Sequence, residues 1–175
     1  MALREILTFP DPRLALKAEP VAVVDDEIRQ LIDDMFETMY DAEGVGLAAP
    51  QIGVLKRVIV VDCGPREEEH HPLQPSQPVA VVNPEVASAE GKIRWEEGCL
   101  SVPGYYDEVE RAANVVIKGL DRNGDPLEIP AEGLLGVCLQ HEIDHLNGTL
   151  FLDHLSRLKQ SMVKKKLRRQ AEATA

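Results

Sequence analysis

The stretch LLGVCLQHEIDHL, residues 134–146, contains the pattern H-E-x-x-H in an otherwise almost wholly apolar segment. Apolar side chains recur in it at helical spacing: Leu135, Leu139, Ile143 and Leu146. This spacing predicts a buried helix, which Gly148 is suited to end. Residues four apart share a helix face, so His141 and His145 can present two imidazoles to one cation. Glu142 lies beside them and is free to act as a base, which indicates water activated by a metal and attacking a carbonyl.

A third ligand is needed before this pattern becomes a metal site, because H-E-x-x-H also arises by chance and two core histidines can simply be hydrogen-bonded. In the longer pattern H-E-x-x-H-x-x-G-x-x-H, the last position is Phe151, which cannot bind metal. His154 and Asp153 lie past the helix stop with the wrong spacing. Cys99, in Glu-Glu-Gly-Cys-Leu-Ser, is the best candidate, because one thiolate with two imidazoles leaves a fourth position open for catalysis.

The composition is typical of one compact enzyme domain. The chain has 175 residues, of which 44% are hydrophobic and 4% aromatic, so aliphatic side chains must fill the core. The first residues show no secretory signal pattern and no apolar run reaches membrane length, so a cytoplasmic location without membrane contact is expected. Three cysteines are too few and too scattered for a disulfide framework. Cys138 is expected to be a buried small residue, and Cys63 has no evident chemical companion.

Charge is unevenly distributed along the chain. The formal net charge is −11, yet residues 155–171 contain seven Lys and Arg and no acid. Setting aside those seven and Glu172 leaves 12 basic against 29 acidic residues, a charge of −17. An acidic body disfavours direct DNA binding, whereas the basic tail could contact an anionic partner. The alternative for the tail is a solvated helix face.

The order of predicted elements indicates an α+β fold. Asp25 is expected to cap a long helix with an apolar stripe, which ends near Gly44, and the glycine-rich segment that follows reads as a loop. Strands are predicted at 58–61, 79–83, 92–96, 105–111 and 114–120. Ser156 is expected to cap a final helix. Mostly antiparallel strands therefore pack around the central metal-binding helix, with one helix at each end of the chain. Residues 64–78 contain four prolines and a charge run, which predicts an exposed loop, and His70-His71 in it could bind metal adventitiously.

Three motifs together resemble the peptide deformylases. Gly44 to Gln51 resembles the family motif G-x-G-L-A-A-x-Q, Glu97 to Ser101 reproduces E-G-C-L-S, and Gln140 to His145 reproduces Q-H-E-x-D-H. The order, the spacing and the chain length are also similar to the family, and most of all to its bacterial type 1 members. The resemblance implies a catalytic domain over residues 1–155, with residues 156–175 as a basic C-terminal helix and tail of the same domain.

The resemblance implies a function and a set of residue roles. The expected reaction is removal of the formyl group from the N-terminal formylmethionine of newly synthesised polypeptides. Cys99, His141 and His145 would bind one divalent metal ion, and Glu142 would be the base. The backbone N–H of Leu100 and the side-chain amide of Gln51 are expected to stabilise the negative charge that develops on the formyl oxygen. Gly46 is expected to leave room for the substrate backbone.

The family's substrate pocket maps onto a group of mostly apolar residues: Val45, Trp95, Glu97, Leu134, Val137 and Cys138. Glu97 and Asp144 are also candidates to accept the free N–H of a ligating imidazole, with a surface salt bridge as the alternative for Asp144. Tyr106 departs from the family, because some members carry an arginine there that contacts substrate. Recognition of later substrate residues is therefore expected to differ.

The physiological metal is ambiguous, because a Cys-His-His ligand set by itself suggests zinc. The resemblance implies ferrous iron, with zinc, nickel or cobalt as substitutes. The partners it implies are formyl-Met nascent peptides and, through the basic helix, the ribosome. Two other classes remain open: a metallopeptidase that cuts internal bonds, and a non-catalytic metal-binding or ribosome-associated module.

Overall fold

The fold contains three helices and seven strands among residues 2–64 and 77–174, which the computed structural model describes. The helices are α1 (Asp26–Asp41), α2 (Gly133–Leu146) and α3 (Arg157–Thr174). The strands are β1 (Gly46–Ala48), β2 (Val58–Asp62), β3 (Pro78–Glu90), β4 (Ile93–Cys99), β5 (Val102–Arg111), β6 (Asn114–Leu120) and β7 (Pro126–Glu132).

Five of the strands form one antiparallel sheet in the order β1-β2-β3-β6-β7. One core cluster includes side chains of the sheet and of α2, among them Ile59, Ile117 and Leu139. A second includes side chains of α1, β1 and β2. Helix α2, which contains the H-E-x-x-H motif, therefore packs against the sheet. This packing fixes the orientation of its two histidines.

Helix α1 begins as its sequence predicts. The carboxylate of Asp25 accepts a hydrogen bond from the backbone N–H of Ile28 at 3.0 Å, which caps the first turn. The apolar stripe faces the core, where Ile32, Met35 and Met39 are fully buried. Helix α1 thus packs behind β1 and β2 and supports the glycine-rich segment that leaves its C-terminus.

The remaining two strands, β4 and β5, form a separate antiparallel hairpin. Its register is irregular between Glu97 and Cys99, at the turn that connects the strands. A third core cluster joins this hairpin to α3 through Val102, Val109, Val163 and Leu167. The hairpin therefore carries the cysteine motif up to the buried face of α2.

The predicted α+β architecture with largely antiparallel strands is confirmed, and three details of the sequence reading were wrong. The glycine motif was expected to be a loop, but residues 46–48 form the short edge strand β1. Strand β3 continues beyond residue 83 to Glu90. Strand β7 was not predicted because Pro126 and Pro130 lie in it, and an edge strand tolerates proline.

Residues 65–76, with His70 and His71, lie outside the described residues, so the loop prediction stays a prediction. Among the helices of the described residues, none combines the length and the apolar character needed to cross a membrane.

Candidate metal centre

Three potential ligand atoms converge at the junction of α2 and the β4–β5 hairpin. The Nε2 atoms of His141 and His145 lie 3.2 Å apart, and the Sγ atom of Cys99 lies 3.3 Å from Nε2 of His145. Among the described residues, this is the one group of three or more His, Cys, Asp and Glu side chains positioned to hold a metal ion. Helical spacing accounts for the two histidines, and the end of β4 brings Cys99 to them.

The donor set fits a divalent transition-metal ion. With metal–nitrogen bonds of about 2.0–2.1 Å, two nitrogens of a tetrahedral site lie about 3.3 Å apart, close to the observed spacing of the two imidazoles. Burial and the nearby His141 and Arg111 lower the pKa of His145 well below its ordinary value, which keeps that imidazole neutral. Burial also disfavours a charged His141, but its contacts with Cys99 and Glu97 raise the pKa of that ring. The groups that favour a proton on the ring of His141, Cys99 and Glu97, would equally favour a metal cation bound beside it.

A buried ionic network orients His141. Its Nδ1 lies 2.8 Å from Oε1 of Glu97, so donation from Nδ1–H leaves Nε2 free as a ligand. Arg111 binds both oxygens of Glu97 at 2.8 Å and also contacts Asp144, which in turn contacts His154 at 2.7 Å. Burial raises the pKa of Glu97, but hydrogen bonds from Arg111 and His141 lower it to about 2.

Asp144 is therefore held by Arg111 and His154 rather than by a ligating imidazole. Among the described residues, Nδ1 of His145 has no hydrogen-bond partner. The sequence reading missed Arg111. The sequence feature that could have indicated its burial is the two-residue periodicity of β5, which places Arg111 on the same face as the buried Val109.

Glu142 is buried beside the ligands without binding as one of them. Its Oε1 lies 3.9 Å from Nε2 of His141, and its Oε2 has no hydrogen-bond partner among the described residues. Burial raises the pKa of Glu142 to about 7. A β-carbon at Gly46 would lie 2.8 Å from Oε1 of Glu142, so the carboxylate requires glycine at that position. The arrangement holds a carboxyl group ready to exchange a proton near neutral pH.

Gln51 is held in one orientation at the edge of the ligand cluster. Its Oε1 accepts from the backbone N–H of Ala48 at 2.9 Å, and its Nε2 donates to Oγ of Ser101 at 3.0 Å. The same Nε2 lies 3.6 Å from Sγ of Cys99, so the amide N–H groups face the metal centre. Ser101, which the sequence reading assigned no role, fixes which end of the amide points inward.

A cavity of about 490 Å³ opens at this centre. It is lined by every predicted catalytic, ligand and pocket residue except His145, which lies in the ligand cluster behind; Asp144, a candidate supporting residue, does not line it either. The predicted pocket residues form its walls: Val45, Trp95, Glu97, Leu134, Val137 and Cys138. Tyr106 also lines it, 64% exposed, and its ring lies so close to Gly98 that a β-carbon there would be 2.4 Å away.

The fold and the site define a class of protein. A Cys-His-His ligand set, a buried carboxyl group beside it and an oriented amide, all at the end of one largely apolar cavity, are the parts of a mononuclear metal hydrolase.

Comparison with known proteins narrows that class. The family model of polypeptide deformylase matches residues 3–161. A peptide deformylase of Pseudomonas aeruginosa is 55% identical over 171 residues, which cover 97% of each chain. A crystal structure of a peptide deformylase from Legionella pneumophila is 51% identical with a TM-score of 0.85, covering 99% of this chain and 98% of the other. One from Ehrlichia chaffeensis in complex with actinonin is 46% identical with a TM-score of 0.88, covering 97% and 98%. The chain belongs to the polypeptide deformylase family.

Proposed function

We propose that this protein hydrolyses the formyl group from the N-terminal formylmethionine of new polypeptides. Removal of that group is the function of the family to which the chain belongs. The observation that carries the proposal is the placement of the buried Glu142 between Gly46 and the Cys99-His141-His145 cluster at the end of the cavity. A base, a cation site and a substrate channel thus meet at one point.

Cys99, His141 and His145 hold one divalent cation in this proposal. When bound, the cation supplies Lewis acidity, which lowers the pKa of a water molecule toward neutrality and polarises the formyl carbonyl. Glu97 keeps the ring of His141 in place through the 2.8 Å contact with Nδ1, and Arg111 keeps Glu97 ionised. We therefore assign Glu97 a positioning role, although its side chain also borders the cavity.

Glu142 is the proton carrier. A pKa raised to about 7 suits a carboxyl group that must take a proton from the attacking water and return it to the leaving amine. Its Oε2, which has no hydrogen-bond partner in the described part of the chain, leaves a lone pair for that proton. Gly46 has no side chain to separate the carboxylate from a substrate backbone lying along β1.

Attack on the formyl carbon places negative charge on the formyl oxygen, and donors must be in position before that happens. The side-chain amide of Gln51 is already oriented by Ala48 and Ser101. The backbone N–H of Leu100, next to Cys99 in the hairpin turn, is the second donor in the proposal. Two hydrogen bonds already hold the Gln51 amide, so this donor needs little reorganisation during the reaction.

The apolar wall formed by Val45, Trp95, Leu134, Val137 and Cys138 receives the methionine side chain. Val137 and Cys138 are buried on α2, directly N-terminal to the ligand histidines, so the depth of the slot is fixed relative to the metal centre. An unbranched, flexible thioether side chain suits such an irregular apolar slot.

Hydrolysis of matched peptides tests this reading. Formyl-Met-Ala-Ser should be deformylated, whereas acetyl-Met-Ala-Ser should be a poor substrate because the extra methyl group occupies space beside Glu142. Formyl-Asp-Ala-Ser should also be poor, because a carboxylate would be buried in the apolar slot. Equal rates with the formyl and acetyl peptides, or cleavage at an internal bond, would contradict the proposal and favour a general metallopeptidase.

The cation proposed for the working enzyme is ferrous iron, as the sequence resemblance implies. The Cys-His-His donors accept several divalent metals, and zinc generally competes strongly for them. Zinc, nickel or cobalt in a purified sample would therefore not identify the working metal. Turnover measured after anaerobic reconstitution with each ion decides among them.

We further propose that residues 156–175 belong to the same domain as the catalytic body and present a basic face to an anionic ribosomal surface. Val163 and Leu167 are buried against the hairpin cluster, which supports a docked helix. Three of the exposed basic residues of α3 line one shallow depression of its surface: Lys165, Lys166 and Arg169. The substrate is a nascent chain, so the proposed setting is the cytoplasm.

Charge reversal tests this face better than truncation, because removing α3 would uncover the buried cluster. Reversing Lys165, Lys166 and Arg169 to glutamate should weaken co-sedimentation with ribosomes in a salt-dependent way. The matched control reverses three exposed basic residues of the body: Lys92, Arg94 and Lys118. An equal effect of the two triple variants, or no effect of the α3 variant, would contradict the proposal.

A further inference from the structure

Phe151 occupies the position that the longer pattern H-E-x-x-H-x-x-G-x-x-H gives to a third histidine. Helix α2 ends at Leu146, and the chain then turns into a short 3-10 helix, Phe151–His154. The turn brings the ring centroid of Phe151 to 6.1 Å from that of His141, with 26° between the ring planes. The position therefore lies beside a proposed metal ligand, although its own side chain has no ligand atom.

Phe151 is shared by two stacked ring pairs. Its second partner is Tyr105 of β5, with the centroids 6.2 Å apart and 19° between the planes. Both separations lie within the range of about 4.5–7 Å in which offset-stacked aromatic pairs attract each other. Phe151 is only 1% exposed, so close packing confines its ring. The three rings of Tyr105, Phe151 and His141 thus form one continuous aromatic stack.

The Tyr105 end of this stack is anchored to α3. The hydroxyl of Tyr105 donates to Oδ2 of Asp107 at 2.6 Å, and the same carboxylate accepts from Nζ of Lys159 at 2.8 Å. Val163 of the same helix is buried in the core cluster that contains Phe151. The hairpin and α3 therefore fix the stack at the end opposite His141.

His141 needs this second restraint, because one hydrogen bond does not fix the plane of an imidazole. The 2.8 Å contact between Nδ1 and Oε1 of Glu97 holds one edge of the ring. The ring can still tilt about that edge, and tilting turns the lone pair of Nε2 away from a bound cation. The His145 ring meets His141 at 67° and so provides no parallel surface. A flat side chain stacked on the imidazole, as Phe151 is, opposes the tilt.

We propose that Phe151 is a positioning residue of the metal centre, whose stacked ring holds the His141 imidazole in the plane that directs Nε2 to the cation. This inference rests on the proposed function, in which His141 is a ligand. Phe151 is not among the described residues that line the cavity, so it acts through His141 and not on the substrate. Its replacement should therefore alter metal binding and kcat and leave KM nearly unchanged.

Cobalt(II) binding to the metal-free full-length protein tests the proposal, because the visible absorption of cobalt reports the geometry of its ligands as well as its occupancy. Phe151→Leu keeps an apolar side chain but removes the flat ring. Its cobalt affinity should fall about tenfold, the lower end of the effect of groups that orient metal ligands. Its absorption bands should also shift from those of wild type. Phe151→Tyr keeps the ring and should retain the wild-type affinity and spectrum.

Leu152→Val is the matched control for a general loss of stability. Leu152 is fully buried in the same short helix and the same core cluster as Phe151. Loss of one methylene there should lower the urea midpoint, as Phe151→Leu does, because both variants leave space in the core. Only Phe151→Leu should change the cobalt affinity and spectrum.

Kinetics of the cobalt-loaded proteins with formyl-Met-Ala-Ser separate positioning from damage to the cavity. Phe151→Leu should lower kcat about tenfold with little change in KM. A wild-type spectrum and affinity in Phe151→Leu, an equal loss of affinity in Leu152→Val or Phe151→Tyr, or a kinetic effect on KM alone would overturn the proposal. Absence of deformylation by wild type would instead contradict the proposed function, and the cobalt comparison would still decide the role of Phe151.

Discussion

Replacing Arg111 with methionine tests how the protein supports the metal centre. The side chains of Arg111 and Glu97 are only 3% and 4% exposed and lie 2.8 Å apart, so the variant leaves a buried carboxylate without its cation. Burial raises the pKa of Glu97, but Arg111 and His141 lower it from 4.5 to about 2. Through proton linkage, that difference corresponds to about 3 kcal/mol of stability at neutral pH. Breaking a buried ion pair costs a similar amount, about 3–5 kcal/mol.

Urea unfolding of metal-free protein at pH 7 measures this effect, with Arg94→Met as the matched control. Arg94 is exposed on β4 of the same hairpin, so its replacement should change the unfolding free energy by less than about 0.5 kcal/mol. We expect Arg111→Met to lose about 3 kcal/mol and to bind metal about 10–100-fold more weakly, because His141 loses its fixed carboxylate. A loss below about 1 kcal/mol with unchanged metal affinity would refute the reasoning.

The stability that the Glu97–Arg111 pair contributes should increase with pH. The folded-state pKa of Glu97 is depressed, so the stabilisation is complete above the unfolded value of 4.5 and is lost as pH falls toward about 2. The stability difference between wild type and Arg111→Met should therefore be largest near neutral pH and should shrink in that acid range.

Four further predictions follow from the site. Glu142→Ala should abolish turnover by several orders of magnitude yet keep bound metal near one per chain, and loss of metal would show that Glu142 is a ligand. In wild type, kcat/KM should fall on the acid side as Glu142 becomes protonated, at a pH below about 7 because the bound cation lowers the pKa of the neighbouring carboxyl group. Cys99→Ala should lose metal and activity together, Cys63→Ala neither, and Cys138→Ala should cost on the order of 1 kcal/mol of stability without removing metal. The iron(II)-loaded protein should be much more active than the zinc-loaded protein and should lose activity in air, whereas nickel or cobalt should give a durable enzyme. Turnover with zinc equal to that with iron would reject the iron assignment.

The sequence predicted the elements whose signals are local. Helix α2 carries its own apolar stripe and its own stop, and Asp25 caps α1 through a contact three residues away. The convergence of Cys99 with the two histidines was also accessible, because each lies in a short motif with a chemical reason for its residues.

The features that the sequence did not disclose depend on contacts between distant segments. Arg111 meets Glu97 across the hairpin and Asp144 on another element. The alternation in β5 places Arg111 on the buried face, but no local pattern identifies these two partners. Ser101 is 50 positions from Gln51 and acts only through the fold.

Edge strands formed a second group of errors. Strand β1 has three residues and β7 contains two prolines, so neither shows a clear alternating pattern in the sequence. Both become strands because a neighbouring strand already provides a hydrogen-bonding edge.

The central claim is that the metal centre and Glu142 hydrolyse an N-terminal formyl amide. Its most direct test is the amount of formate released from formyl-Met-Ala-Ser by protein prepared anaerobically with iron, measured beside the free amino groups formed. We predict one formate for each new amino terminus, an otherwise intact tripeptide, and no release by the iron-loaded Glu142→Ala variant. Undiminished formate release by that variant, or new amino groups without formate, would contradict the claim.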